Sequence, residues 1–197
     1  SNMCADSVRL YVARTYGAQN AIGKTLVVDM LYYGAAAQKK FNYGTDDLAT
    51  AMLTNAQKAS ATTQLAALND IQFKGQNYMG TRLVLESRIQ MQVAFKGLTS
   101  DMYAIYSYTD NSGAVQNVRV DGTDFITAGS MKGIELDALV YADARAAVTV
   151  IVYNPNGSIY AIATDSIESY ALRSTTGDDV FAALMKFADS AKAYLYQ

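Results

Sequence analysis

Histidine and tryptophan are absent from this chain, and cysteine and proline occur once each. Without histidine no Ser-His-Asp or Cys-His nucleophile can be assembled, and no imidazole is available to hold a metal. A lone Cys4 excludes an intramolecular disulfide and a zinc–thiolate cluster. It reads as a small apolar residue on a first helix; a lipid-anchor cysteine would need a preceding signal segment. Charge is sparse at 17% of residues, with 16 basic against 18 acidic side chains and no Lys/Arg run. A nucleic-acid footprint is therefore not expected. No uninterrupted apolar stretch approaches the roughly 20 residues of a membrane span, so no membrane insertion is expected either. No targeting signal is legible, and Ser1-Asn2 ahead of Met3 reads as the remnant of a cleaved tag.

What remains is a 197-residue chain that is 51% hydrophobic and rich in tyrosine. A chain of this length can bury roughly 70% of its unfolded surface, which suffices for a sizeable core. Two stretches look like copies of one helical motif: residues 6–14 read DSVRLYVAR and residues 165–173 read DSIESYALR. Downstream of each, Val27, Met30, Leu31, Gly34, Ala37 and Phe41 have the spacing of Phe181, Leu184, Met185, Ala188, Ala191 and Leu195. The spacing predicts helices over about 6–15 and 24–41 and a helical pair within 165–197, with Gly17 and Gly23 bracketing a loop. Gly44 is a plausible helix stop, and Thr45-Asp46-Asp47 predicts the start of a short third helix whose acids complement its dipole. Residues 55–69 are Ala/Thr/Gln-rich and read as partly helix and partly loop. Asp165-x-x-Glu168 has the form of a capping box, and Asp178 or Asp179 is expected to cap the last helix after Gly177.

From about Asp70 the period changes to two. Ile89, Met91, Val93 and Phe95 alternate with polar neighbours, which predicts a strand with one dry face. Residues 102–108 and 115–120 predict a hairpin around Asp110-Asn111-Ser112-Gly113, and Asn154-Pro155-Asn156-Gly157 predicts a second. The strand over 147–153 is apolar on both faces, so cover on both sides is expected. These elements define an α+β fold: an antiparallel β-sandwich with helical pairs from both ends of the chain packed together on one face. The expected organisation is an N-terminal helical segment over 3–55, a β-sandwich region over 56–164 and a C-terminal helical pair over 165–197, in one compact unit. The hairpin feeding the second copy has no counterpart before the first, so the native chain is expected to extend further at its N-terminus.

The segment LVVDMLYYGAAAQKKFNYGTDDLA (26–49) resembles a recurring module of large secreted, surface-associated multidomain proteins of gut Firmicutes. There L-x-x-x-M-L-N-Y-G-A-A-A-Q-x-x-F-x-Y is followed by T-D-x-L-A. DSIESYALR (165–173) and LMKFADSAKAYL (184–195) are similar to the S-I-E-S-Y and M-K-Y-G-D-S-A-x-x-Y segments of the same modules. Tyr32 stands where Asn is usual, and Phe187-Ala188 where Tyr-Gly is usual. The resemblance covers both ends of the chain; residues 56–144 match in β character alone. It implies a secreted or wall-exposed setting and brings no assigned catalytic residues.

Chemistry has few candidates. Asp121 and Asp124 flank Gly122, and a two-carboxylate glycosidase would need one of them with a raised pKa. The same turn could hold calcium through carboxylate and carbonyl oxygens, although its spacing is not that of an EF-hand. A polar turn with Asx-type hydrogen bonds explains it as well. Ala35-Ala36-Ala37 after Gly34 lack a P-loop lysine pattern and suit close helix packing. Tyrosines remain. Tyr106 and Tyr108 share one face of their strand, and with Asn117 and Arg119 on the neighbouring strand they form the candidate ligand-binding cluster. Cross-strand packing in the core is the competing explanation for the two rings. The functional expectation is a non-catalytic extracellular structural or interaction module of a larger bacterial protein. A carbohydrate-binding accessory module using exposed tyrosines is the alternative, and a carboxylate glycosidase a distant third. Partners would be neighbouring domains of the same polypeptide or cell-surface and extracellular glycans; no cofactor or metal is expected.

Overall fold

Residues 16–60, 64–85, 88–128, 130–174 and 179–197 are described by the computed structural model of the chain. The expected first helix, Cys4 and the Gly177-Asp178 cap lie outside them. The fold is α+β, with two antiparallel sheets and helices drawn from both ends of the chain. It divides into two compact units: one from residues up to 67 together with 174–197, the other from 68–173.

The first unit is built on α1 (Ala21–Lys40) and α4 (Asp179–Leu195), which pack together. Helix α1 begins a turn earlier than the sequence predicts. Asn20 caps it by accepting from the Gly23 amide at 2.8 Å, so Gly23 belongs to the first turn and not to a loop. Val27, Val28, Leu31 and Ala35 are buried on α1, and Val180, Leu184, Met185 and Ala188 on α4. Tyr33 and Phe187 stack at 5.8 Å. Burying a residue such as Leu31 or Leu184 contributes about 1.5–3 kcal/mol, and a run of them explains the pairing. Neither expected stripe is buried to its C-terminal end. Phe41 and Leu195, one at the end of each stripe, are 57% and 60% exposed.

No helix starts at Thr45. Asn42 and Gly44 take positive φ, and the Gln38 side chain satisfies the loop that follows. Its Nε2 donates to the Gly44 and Asp47 carbonyls, and its Oε1 accepts from the Ala49 amide at 2.7 Å. With those backbone groups already paired, helical structure waits until a 3-10 turn at Ala49–Met52. Helix α2 (Asn55–Ser60) then starts with a reciprocal cap: Gln57 N donates to Thr54 Oγ1, and Thr54 N donates to Gln57 Oε1. Leu53 joins Val27, Val28 and Leu31 in one apolar cluster.

In the second unit one sheet has the order β1-β9-β8-β4-β5 and the other β2-β3-β7-β6. The strands are β1 (Phe73–Lys74), β2 (Tyr78–Leu85), β3 (Ile89–Phe95), β4 (Tyr103–Thr109), β5 (Val115–Asp121), β6 (Ile126–Ala128), β7 (Met131–Leu136), β8 (Val148–Tyr153) and β9 (Ile159–Asp165). Strand β3 alternates as expected, with Ile89, Met91, Val93 and Phe95 all buried. Both predicted turns form. Gly113 and Gly157 take φ of +86° and +82°, which closes β4–β5 and β8–β9. Gly122 is required for another reason. A Cβ there would lie 2.7 Å from the Ser100 carbonyl oxygen and would also run into that of Met102.

Helix α3 (Ile167–Arg173) belongs to the sheet-bearing unit, apart from the last helix with which the sequence pairs it. The capping box predicted on Asp165 and Glu168 is replaced by a different arrangement. Ser166 is the cap, accepting from the Ser169 amide at 2.9 Å. Both acids are buried and matched to arginines, Asp165 to Arg173 and Glu168 to Arg145. Glu168 also accepts from the Asn69 amide, and Ser169 Oγ from the Ile71 amide, which ties the chain entering β1 to α3.

Candidate functional site

Hairpin register decides what the tyrosines can do. The turn at Asp110–Gly113 pairs Thr109 with Val115, so Tyr106 lies opposite Val118, and Tyr108 opposite Gln116. Val118 and Val120 point the same way as Tyr106; Asn117 and Arg119 point the other way. The four residues of the expected cluster are therefore split between two faces. Tyr106 and Tyr108 are 0% and 6% exposed, so the platform the sequence places on them does not exist. Their rings stack on each other at 6.4 Å inside the sandwich. Their hydroxyls reach the segment after β7: Tyr106 donates to Asp137 and accepts from the Ala138 amide, and Tyr108 donates to the Ala138 carbonyl. Burial pushes both phenol pKa values up.

The outward face of the same sheet holds the residues of opposite parity, in rows set by the pairing. Tyr103 lies beside Tyr153, Arg119 beside Ile105, Ile151 and Ile162, and Asn117 beside Ser107 and Thr149. The Tyr103 and Tyr153 rings stack at 5.0 Å and 14°. The Arg119 guanidinium sits 3.8 Å from the Tyr103 ring centroid and its Nε donates to Asp121 at 2.8 Å. Ser107 Oγ donates to Asn117 at 2.7 Å. Along the edges of this face Phe73, Val115 and Ile159 are more than half exposed. The two-sided apolar strand β8 is explained in part: Val148, Val150 and Val152 are buried inward, while Ile151 and Tyr153 are half-buried on the outer face.

This surface offers stacked rings, a cation against one of them, and amide and hydroxyl groups two rows away. The rings can stack on a pyranose and Arg119 can hydrogen-bond its hydroxyls, while Asn117 is placed for a neighbouring sugar unit. Asn117 and Arg119 are exposed as the sequence predicts; the ring beside Arg119 is Tyr103, which Tyr153 stacks on. A signal for this was present. Residues 118–121 (VRVD) alternate, but which β4 residues share a face with the valines follows from the pairing register.

Asp121 is paired with Arg119 on the surface, and Asp124 is exposed. Among the described residues no three His, Cys, Asp or Glu side chains converge to hold a metal ion. Among them, too, no helix is long and apolar enough to cross a membrane. No known protein family, curated protein or solved structure matches the chain.

Proposed function

We propose that the chain is a non-catalytic interaction module of a larger secreted or surface-attached bacterial protein, and that the outer face of the five-stranded sheet is its contact surface. The observation that carries this reading is the Tyr103–Tyr153 stack, with exposed Ile159 beside Tyr153 and exposed Phe73 and Val115 farther along the same sheet face. Exposed apolar groups concentrated on one face mark interaction sites. The buried carboxylates of the sheet-bearing unit are held by structural partners: Asp165 by Arg173, Glu168 by Arg145, and Asp143 by Asn111 and the Val140 amide. The resemblance of residues 26–49 and 165–195 to modules of gut Firmicutes surface proteins supports the extracellular setting.

Carbohydrate is the favoured contact of that face, because Arg119 places hydrogen-bond donors beside the rings and Asn117 adds an amide farther along the same face. A glycan array of plant and mucin structures tests it. Binding is expected, and Tyr103→Ala with Tyr153→Ala should abolish it. A blank array removes the carbohydrate reading and leaves a neighbouring domain as the partner. That case is tested by adding flanking segments of the parent protein and following the Tyr103 and Tyr153 resonances. Turnover of any glycoside that is lost in Asp121→Ala with Asp124→Ala would overturn the non-catalytic reading.

A further inference from the structure

The helical unit contains a cleft of about 620 Å³, inside the roughly 300–1,000 Å³ of small-molecule sites. Four of the nine lysines in the chain line it: Lys39, Lys40, Lys58 and Lys186. They come from three helices, α1, α2 and α4, so the concentration of charge is made by the fold and not by a basic run in the sequence. Asp29 and Asp179 share the lining, so the cleft keeps a formal excess of two positive charges in a chain of net charge −2. Alanines on α1 and α4 (Ala35, Ala36, Ala182 and Ala183) line the cleft between the charged side chains, and their small size leaves room for a ligand.

Two further side chains give the cleft a direction. Asp29 lines it although it is only 2% exposed. Among the described residues its one hydrogen-bond donor is Ser190, on Oδ2, so Oδ1 is left for a donor from a ligand. A buried carboxylate oxygen with no partner is costly unless something fills that role. Tyr32 also lines the cleft and is 37% exposed, presenting a ring next to the lysines. Thr50 adds a hydroxyl.

We propose that this cleft binds an acidic sugar, a hexuronate unit of an anionic polysaccharide. The lysines take its carboxylate, Tyr32 stacks on the pyranose ring, and Asp29 Oδ1 accepts from a ring hydroxyl. A bare anion would use the lysines but would leave Asp29 without a donor and would gain nothing from Tyr32. A neutral sugar would leave the lysines unused. The site is independent of the sheet face containing Tyr103 and Tyr153.

The test is a calorimetric and NMR titration of the whole chain with a galacturonate oligosaccharide, a neutral galactose oligosaccharide of equal length, and inorganic phosphate. The uronate should bind, shifting resonances of Tyr32, Lys58 and Lys186, and should weaken as salt is raised. The neutral sugar should leave those resonances unshifted, and phosphate should bind more weakly than the uronate. Lys58→Gln with Lys186→Gln, checked for an unchanged thermal melt, should weaken uronate binding by about tenfold or more. Tyr103→Ala should leave it unchanged. Absence of uronate binding, phosphate binding of equal strength, insensitivity to the lysine variants, or loss in Tyr103→Ala would each overturn the proposal.

Discussion

Asp165 and Arg173 are joined through both carboxylate oxygens: one guanidinium nitrogen, Nη2, lies 2.9 Å from Oδ1 and 2.7 Å from Oδ2. Asp165 ends β9 and is 1% exposed, Arg173 ends α3 and is 27% exposed, and the pair fixes the helix to the strand that precedes it. Gln72 adds a third hydrogen bond to the same carboxylate. Removing the arginine leaves a buried charge without its cation. Arg173→Gln is therefore expected to destabilise the protein, toward the lower part of the roughly 3–5 kcal/mol seen for broken buried pairs, since the arginine is partly solvated. Denaturant unfolding measures it. Adding Asp165→Asn to Arg173→Gln should recover part of the loss, and a double variant no more stable than the single would show that the charge was not the cause.

Tyr106 and Tyr108 carry hydroxyls in different circumstances. The Tyr106 hydroxyl both donates to Asp137 and accepts from the Ala138 amide, each at 3.1 Å. The Tyr108 hydroxyl makes one bond, to the Ala138 carbonyl. Tyr106→Phe should cost about 1–3 kcal/mol, because the Ala138 N–H loses its acceptor. Tyr108→Phe should cost less. Equal melting temperatures for the two variants would contradict this ordering.

Ala188 is 2% exposed on α4, among the buried residues Leu184 and Met185. Ala188→Leu adds volume to a filled interior and should cost roughly 1–3 kcal/mol. A thermal melt decides it, and an unchanged midpoint would mean that the helices separate freely enough to admit a leucine.

Asp29 provides a pH test. Burial raises its carboxyl pKa above the ordinary 3.8, outweighing the Ser190 hydrogen bond and the nearby Lys186, while Asp189 pushes the same way as burial. The native state thus keeps the proton to higher pH than the unfolded chain does. Stability is lost as pH rises from 3.8 through the raised native value, and the deficit persists above it. Asp29→Asn keeps an acceptor for Ser190 and removes the titration. Its melting temperature should exceed that of the parent protein at neutral pH, and the difference should close below the ordinary carboxylate pKa. A variant less stable at neutral pH would show that the charged form is favoured in the fold.

Much of the architecture can be read from local chemistry. Strand β3 is legible because Ile89, Met91, Val93 and Phe95 recur at every second position, and the two hairpins because Gly113 and Gly157 supply the positive φ that their turns need. Helices α1 and α4 follow from apolar spacing, since helix geometry depends on neighbours three and four residues away. Their boundaries are less legible. The loop after α1 is settled by Gln38 reaching backbone groups six to eleven residues ahead, a hydrogen-bonding pattern with no periodic signature.

The sequence by itself determined the α+β composition, the antiparallel hairpins and the absence of imidazole and disulfide chemistry, because these depend on residue type and short-range geometry. Tertiary structure alone decided which tyrosines are available. Strand β4 carries aromatic rings on both parities, so alternation cannot tell its dry face from its wet one. That choice is made by the pairing of Tyr106 with Val118 and Val150, and by the Asp137–Ala138 segment that meets the tyrosine hydroxyls. It also decided the lysine cleft, since Lys39, Lys58 and Lys186 are distant in the chain and only helix packing brings them to one cavity. Long-range juxtaposition has no local period, and that is why the candidate binding surfaces became visible only in the folded chain.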